Sequence, residues 1–152
     1  MNKTTSKTFS GRAIIAGECR GKALVTKSGL NLFAAFLKSL MDGDGDCICG
    51  DIGNPDLYGK SLQDQIICIP QAIGSTSTGF VLQTIAAAKI GPKAILFARQ
   101  GESLALAGLI VADIWEGTQI ITIDELGDDF LDAVKDGDEI CIHADGRVEV
   151  LG

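Results

Sequence analysis

The sequence predicts an α/β fold in which a short parallel strand layer covered by helices is joined to an antiparallel strand set. From residue 60 onward, apolar runs of strand length alternate with longer apolar segments of helical length. The first third holds short apolar runs bounded by glycines, and the chain closes on two short runs around a turn dipeptide. Successive β-α-β units place parallel strands side by side, whereas hairpins add antiparallel strands.

The elements follow from apolar runs and their boundaries. Gly91-Pro92 ends one predicted helix, Asp145-Gly146 favours a tight hairpin turn, and residues 17–21 are long enough for a bulged hairpin between the first two strands. Periodicity does not decide whether Leu30 to Leu37 is a buried helix or a loop lining a cleft. The predicted elements are strands at 11–17, 21–25, 65–70, 94–98 and 119–123, helices at 79–90, 103–115 and 125–135, and a hairpin of 139–142 with 147–150.

Length and continuity predict one folded unit. The chain has 152 residues and contains no internal repeat, low-complexity tract or linker. That length allows a substantial hydrophobic core. We therefore expect a frayed, polar lead-in at residues 1–10 and a single domain at 11–152.

Composition argues against several classes of function and compartment. The net charge of −7, from 13 basic and 20 acidic residues, disfavours binding to nucleic acid or anionic membranes. No segment approaches the roughly 20 apolar residues of a membrane span, and the polar N-terminus lacks a secretory apolar region. Five cysteines, an odd number, disfavour a disulfide framework, so we expect a cytoplasmic protein.

The segment Gly74-Ser75-Thr76-Ser77-Thr78-Gly79 lies between a predicted strand and a predicted helix. Unpaired backbone N–H groups at a helix start can bind an anion or stabilise a serine alkoxide. Hydroxyl side chains there also serve simply as caps, and the residues alone favour capping. A phosphate-binding P-loop is disfavoured because no lysine follows the glycine.

Other groups with chemical potential are sparse. His143 is the one histidine and falls in the final hairpin, so a Ser/His/Asp triad is disfavoured; a phosphohistidine carrier would need it exposed in a cleft. If residues 47–49 form a strand, Cys47 and Cys49 lie on the same face and could both reach one metal ion. Two thiolates are too few for a closed metal site, so we favour their interpretation as small buried hydrophobes. Without a positioned acid–base pair, an enzyme built on this chain needs a second chain to complete its site.

Several segments, in their order and spacing, resemble the small subunit of aconitase X. The resemblance runs from about Gly11 to the end of the chain. The segments that carry it are Gly21-Lys22-Ala23-Leu24-Val25, Asn54-Pro55, Gly59-Lys60-Ser61, Pro70 to Gly79, Gly91-Pro92-Lys93-Ala94-Ile95-Leu96, Ala107-Gly108-Leu109-Ile110-Val111-Ala112, Gly137-Asp138-Glu139-Ile140 and Asp145-Gly146-Arg147-Val148.

The resemblance implies a swivelling β/β/α domain, like that of aconitase, docked on a large subunit that carries an iron or iron–sulfur centre. It also implies dehydration of a small hydroxy acid: cis-3-hydroxy-L-proline in bacterial members and mevalonate 5-phosphate in archaeal ones. Ser75 occupies the family's catalytic position, as the base that removes the proton next to the carboxylate. Gly74, Thr76, Ser77 and Asn31 would then contact the substrate.

Two departures from the family pattern bear on the substrate. Ile73 stands where many members have a basic residue, and Ala34 and Ala35 replace glycines in a segment expected to line the substrate site. Loss of the basic residue disfavours a phosphorylated substrate, so we rank cis-3-hydroxy-L-proline first and mevalonate 5-phosphate second. A non-catalytic binding or scaffolding module of the same fold is the competing interpretation.

Overall fold

The computed structural model describes residues 5–43 and 45–152. In this part of the chain, no helix has the length and apolar content needed to cross a bilayer. The elements are β1 (Lys7–Ser10), β2 (Arg12–Ile15), β3 (Cys19–Val25), β4 (Leu30–Asn31), α1 (Leu32–Asp42), β5 (Ile66–Ile69), β6 (Ala72–Ile73), α2 (Thr78–Ala87), β7 (Ala94–Phe97), α3 (Ser103–Val111) with a π-helical turn (Ala112–Glu116), β8 (Ile121–Asp124), α4 (Asp128–Ala133), β9 (Glu139–Ile142) and β10 (Arg147–Val150).

The main sheet combines a parallel and an antiparallel part. Its eight strands run in the order β1-β10-β9-β3-β5-β7-β8-β2. Strands β3, β5, β7 and β8 are parallel neighbours, whereas β1, β10 and β9 at one side and β2 at the other pair antiparallel. Strand β3 joins the two parts, pairing with β9 through Cys19–Lys22 and with β5 through Ala23–Val25. The predicted fold class is thereby confirmed.

The two edges of the sheet meet at Gly11. Strand β1 lies at one edge and β2 at the other, yet Gly11 alone separates them in sequence. The Gly11 N–H donates to the Gly146 carbonyl at 3.1 Å, and a Cβ at position 11 would overlap the Asp124 carbonyl. The sheet therefore curls back on itself, and only glycine fits where its edges join.

Two expectations for the N-terminal third are wrong. Residues 7–10 do not fray but form β1, because all four pair with residues of β10. Residues 1–4 of the predicted lead-in lie outside the described residues. Strands β2 and β3 form no hairpin, since β2 pairs with β8 and β3 with β5 and β9. The partners of β2 in β8 and of β3 in β9 lie more than 100 residues further along the chain, so the spacing of neighbouring residues does not predict them.

The segment Leu30 to Leu37, left open by its sequence, is a two-residue strand followed by the first half of α1. Strand β4 pairs in parallel with β6, with Asn31 opposite Ile73. Ala35 is fully buried, and Ala34 lies in the same helix. The departures at these two positions therefore fall in a helix and not in a mobile loop.

The central strands bury both faces. On β5, Ile67 and Ile69 face a core formed with α1, α2 and α3, whereas Ile66 and Cys68 face a second core formed with α4 and the β9–β10 hairpin. The β/β/α layering follows from this alternation. Burial raises the pKa of the Cys68 thiol far above its usual range, so this cysteine is a core residue.

A buried carboxylate ties three parts of the fold together. The Asp124 side chain has no exposed surface, and it accepts hydrogen bonds from Arg12 Nε at 2.9 Å and Arg12 Nη2 at 2.7 Å. Its Oδ2 atom also accepts the Gly101 N–H at 2.7 Å. Asp124 thus links edge strand β2 and strand β8 to the turn before α3, and the Asp124 carboxylate raises the pKa of Arg12.

We expect Asp124→Ala to lower the free energy of unfolding by about 2–3 kcal/mol, because it removes a buried acceptor from both Arg12 and Gly101. Glu139→Ala is the matched control, since Glu139 also binds an arginine through both oxygens, but at the surface. Urea denaturation of both variants measures the difference. An equal loss of unfolding free energy in the two variants would show that the buried Asp124–Arg12 pair stabilises the fold no more than the exposed Glu139–Arg20 pair does.

Candidate active site

Ser75 occupies a tight turn between β6 and α2. Its hydroxyl oxygen accepts the Ser77 N–H at 3.0 Å, and its backbone carbonyl accepts the Thr78 hydroxyl at 2.7 Å. The side chain is half-buried. A backbone N–H aimed at Oγ, next to the N-terminus of a ten-residue helix, favours negative charge on that oxygen.

Asn31 and Gly74, both predicted to contact substrate, are brought together beside Ser75. Gly74 has a φ of +101°, and a Cβ at this position would overlap the Asn31 carboxamide. Asn31 caps α1 by accepting the Ala34 N–H at 3.1 Å, and its own backbone N–H donates to the buried Asp51 carboxylate at 2.9 Å. Asn31 therefore buttresses the turn that carries Ser75.

A cavity of about 150 Å³ opens beside the Ser75 side chain. The described residues that line it are Ala72, Ile73, Gly74, Ser75, Thr78, Glu102 and Leu104. Of these, only Glu102 is charged, and the sequence did not predict it as a site residue. The Glu102 carboxylate caps α3, with its two oxygens accepting the Leu104 and Ala105 N–H groups at 2.9 Å each. These bonds engage Glu102 as a helix cap. In the part of the chain that the structure describes, no basic side chain lines the cavity.

Two glycines bring the starts of α2 and α3 together. A Cβ at Gly79 would overlap the Leu104 carbonyl, and a Cβ at Gly108 would overlap the Gly79 backbone. The helices therefore touch backbone to backbone near their first turns. This contact places Glu102 and Leu104 opposite Ser75 and Thr78, which closes one side of the cavity.

Thr76 and Ser77 lie at the surface beyond the cavity. Ser77 is the backbone N-cap of α2 but makes no side-chain capping bond, and Thr76 lines a neighbouring groove of about 290 Å³ with Phe80 and Leu104. Apolar side chains dominate this surface: Ile73, Phe80 and Leu104 are 47%, 68% and 44% exposed. We call these three residues the apolar rim.

Cys47 and Cys49 lie in the core shared with α1–α3, each at most 1% exposed. Burial raises the pKa of the Cys49 thiol, which disfavours the thiolate that metals bind. Among the described residues, the cluster of metal-ligating side chains that the structure assembles contains neither cysteine. The core position agrees with the interpretation as small buried hydrophobes.

His143 lies just after β9, on different elements from the Ser75 cavity. Its Nε2 atom is 2.8 Å from Glu149 Oε2, and this hydrogen bond lowers the pKa of the Glu149 carboxyl. The imidazole is half-buried and does not line the Ser75 cavity. It is therefore not positioned as a base for Ser75.

Comparison with known proteins decides the family. The family model described as the aconitase X swivel domain matches residues 8–150. The chain belongs to this family. The predicted resemblance is thus confirmed, and with it the assignment to the small subunits of aconitase X-type dehydratases.

Curated relatives and solved structures agree with the family. The phosphomevalonate dehydratase small subunit of Archaeoglobus fulgidus is 30% identical over 94% of this chain and 98% of its own length. That of Aeropyrum pernix is 31% identical over 95% of this chain and 93% of its own length.

Two solved structures share the fold. The crystal structure of Thermococcus kodakaraensis aconitase X in its holo form superposes with a TM-score of 0.78 at 24% identity, covering 96% of this chain and 99% of that one. The solution structure of a UPF0107 protein superposes with a TM-score of 0.72 at 27% identity, covering 96% of this chain and all of that one.

Gly74→Ala should lower the free energy of unfolding by about 1–2 kcal/mol more than Gly137→Ala. Both glycines have positive φ, +101° and +84°, but only Gly74 faces another side chain, whereas a Cβ at Gly137 meets open space. Thermal and urea denaturation give the stabilities, and amide NMR shifts of Asn31 report its displacement. Equal losses in the two variants would rule out the Asn31 contact as a constraint on the turn.

Proposed function

We propose that this chain is the small subunit of a two-subunit dehydratase that acts on mevalonate 5-phosphate, with Ser75 as the base. The observation that carries the proposal is a half-buried serine whose oxygen accepts a backbone N–H, in a cavity where the described lining residues include one acid, Glu102, that is already engaged as a helix cap. Such a serine can take up a proton only in a site that further groups complete. The family relation supplies the reaction class.

The cavity is half of a site. Ser75 contributes the hydroxyl, the start of α2 contributes backbone N–H groups, and Glu102 is engaged by its two capping bonds. A hydroxy-acid substrate brings at least one negative charge, and the described residues that line this cavity include no basic side chain to bind it. The remaining charge complement therefore comes from the large subunit in this proposal.

In the dehydration, the base removes the proton from the carbon next to the carboxylate, the C=C bond forms and the C–O bond of the hydroxyl breaks, releasing water. The Ser77 N–H and the dipole of α2 favour the charged form of Ser75 that accepts this proton. Among the described residues, no cysteine or histidine lines the cavity, so these residues offer it none of the thiolate or imidazole ligands typical of an iron or iron–sulfur centre. In the proposal that centre belongs to the large subunit.

Two observations bear on the choice of substrate. The curated relatives that cover nearly the whole chain are named phosphomevalonate dehydratase small subunits, which favours mevalonate 5-phosphate over the hydroxyproline ranked first from the sequence. Ile73 at the rim, together with the lack of a basic side chain among the described lining residues, keeps cis-3-hydroxy-L-proline as the second candidate. A phosphate would then have to be bound by the partner.

The proposal predicts that this chain and the aconitase X-type large subunit from the same organism dehydrate mevalonate 5-phosphate only when combined. Ser75→Ala should lower kcat by at least about 100-fold, because it removes the base, while the complex still forms. Ser103→Ala is the control, since Ser103 is an exposed serine at the start of the neighbouring helix and lies outside the cavity. Turnover is followed by the absorbance of the unsaturated product.

Each outcome of this assay discriminates between functions. Turnover of cis-3-hydroxy-L-proline but not mevalonate 5-phosphate would reassign the substrate and leave the role of Ser75 standing. Full activity of Ser75→Ala would remove that role. A stable complex that dehydrates neither compound would favour a non-catalytic binding or scaffolding module.

If the large subunit completes the Ser75 cavity, the position of the cavity also indicates which surface of this chain the large subunit contacts. A large subunit that completes the cavity has to cover the apolar rim of Ile73, Phe80 and Leu104. Exposed Phe80 is the largest of these side chains, and large apolar groups dominate the binding energy of interfaces. A second apolar surface, at Ile52 beside α1, lies against different residues.

Phe80→Glu is therefore expected to weaken association with the large subunit by at least about 100-fold, since it places a charge in a buried apolar contact. Ile52→Glu is the matched control, because Ile52 is 79% exposed against 68% for Phe80. Analytical ultracentrifugation or calorimetry measures the affinities. Loss of binding in Ile52→Glu alone would move the interface to the α1 surface.

A further inference from the structure

Three metal-ligating side chains converge on one face of the β9–β10 hairpin. Cys141 on β9 is paired directly with Glu149 on β10. The neighbouring residues Ile140, Ile142, Val148 and Val150 are buried in the second core, so alternation directs Cys141 and Glu149 to the opposite face. His143, two residues after Cys141, joins them there.

The ligand atoms of these three residues all lie within 4.8 Å of one another. Tetrahedral zinc, with bonds of about 2.0–2.3 Å, holds its ligand atoms about 3.3–3.8 Å apart. His143 Nε2 and Glu149 Oε2 are closer than this, at 2.8 Å, so an ion would enter by replacing their hydrogen bond. To reach the tetrahedral spacing, the ligand atoms would have to move by a few tenths of an ångström to about 1 Å.

The chemistry of the set selects among metals. Thiolate, imidazole and carboxylate together suit zinc and related transition metals, whereas magnesium and calcium prefer oxygen ligands alone. Three protein ligands leave a fourth tetrahedral position, as in zinc sites that keep an open coordination site. A surface depression of about 420 Å³, lined in part by Cys141 and His143, gives that position access to solvent.

The hairpin holds these side chains on a rigid frame. Strand β9 is paired on both sides, with β3 and β10, and β10 is paired in turn with β1. The His143 N–H donates to the Arg147 carbonyl at 2.9 Å, which fixes the end of the strand. Arg20, which pairs with Cys141 across the sheet, forms two hydrogen bonds to Glu139, and this carboxylate partly offsets its positive charge.

We propose that Cys141, His143 and Glu149 form a binding site for a divalent transition-metal ion of the zinc type, separate from the Ser75 cavity. The two sites share no lining residue. The proposal therefore stands or falls independently of the dehydratase function.

Zinc and cobalt titrations of the full-length, untagged chain after chelator treatment test the site. We expect one Zn²⁺ per chain by calorimetry, and a thiolate-to-cobalt charge-transfer band with Co²⁺. Cys141→Ser and Glu149→Gln should each weaken zinc binding at least about tenfold, and Cys141→Ser should also abolish the band. Glu18→Gln is the control, because Glu18 is an exposed carboxylate that lines the same depression and lies outside the cluster.

Glu149→Gln is nearly isosteric and keeps a side chain that can form a hydrogen bond to His143, so it removes the metal ligand with little change to the fold. Circular dichroism verifies the fold of each variant. A calorimetric titration without a saturable one-site isotherm would overturn the proposal. So would zinc binding that is unchanged in both cluster variants, or a cobalt complex without the thiolate band.

Discussion

The bonds of Asp124 connect the closure of the sheet to the shape of the Ser75 cavity. The carboxylate has no exposed surface and is satisfied by Arg12 from one edge strand and by the Gly101 N–H from the turn before α3. A buried charge is tolerated only when such partners replace water. The same three bonds thus fix where β2 joins the sheet and where α3 begins, and Glu102 at that helix start lines the cavity.

The turn that carries Ser75 is held from two sides by close contacts at its glycines, Gly74 and Gly79. Gly74 lies against the Asn31 carboxamide on one side, and Gly79 against the backbone of α3 on the other. Close contacts of this kind leave little room for rearrangement. The turn is therefore held in place by contacts within this chain, which would reduce the entropic cost of assembling the shared site that we propose.

Elements whose signal is local could be predicted from the sequence, and those defined by distant partners could not. Strand β5 and helix α2 were predicted within a few residues, because their apolar runs end at glycine or proline. Strand β1, with the polar sequence Lys-Thr-Phe-Ser, is a strand because β10 pairs with it. The mistaken β2–β3 hairpin has the same cause, since β2 finds its partner in β8.

The candidate site was predictable to a similar degree. Ser75 and Gly74 stand out from the hydroxyl-rich helix start, and the pairing of β4 with β6 brings Asn31 to them as expected. Glu102 was not predicted, because glutamate is not among the preferred N-cap residues and the neighbouring sequence gives no other signal for a cap there. The cluster of Cys141, His143 and Glu149 could have been predicted from the sequence. The Asp145-Gly146 turn sets the register of the hairpin, and that register pairs Cys141 with Glu149.

The charge balance of the Ser75 cavity argues for a site divided between two chains. A base that removes a proton next to a carboxylate works best where that carboxylate is bound and its charge neutralised, because the transition state carries additional negative charge. The described lining residues include one carboxylate and no cation, and they are bordered by the exposed apolar rim. Apolar surface around an incomplete polar site is typical of a contact that excludes water once the partner is bound. Since cavity and rim share Ile73 and Leu104, docking and completion of the site would be one event, and the isolated chain would keep Ser75 in contact with solvent.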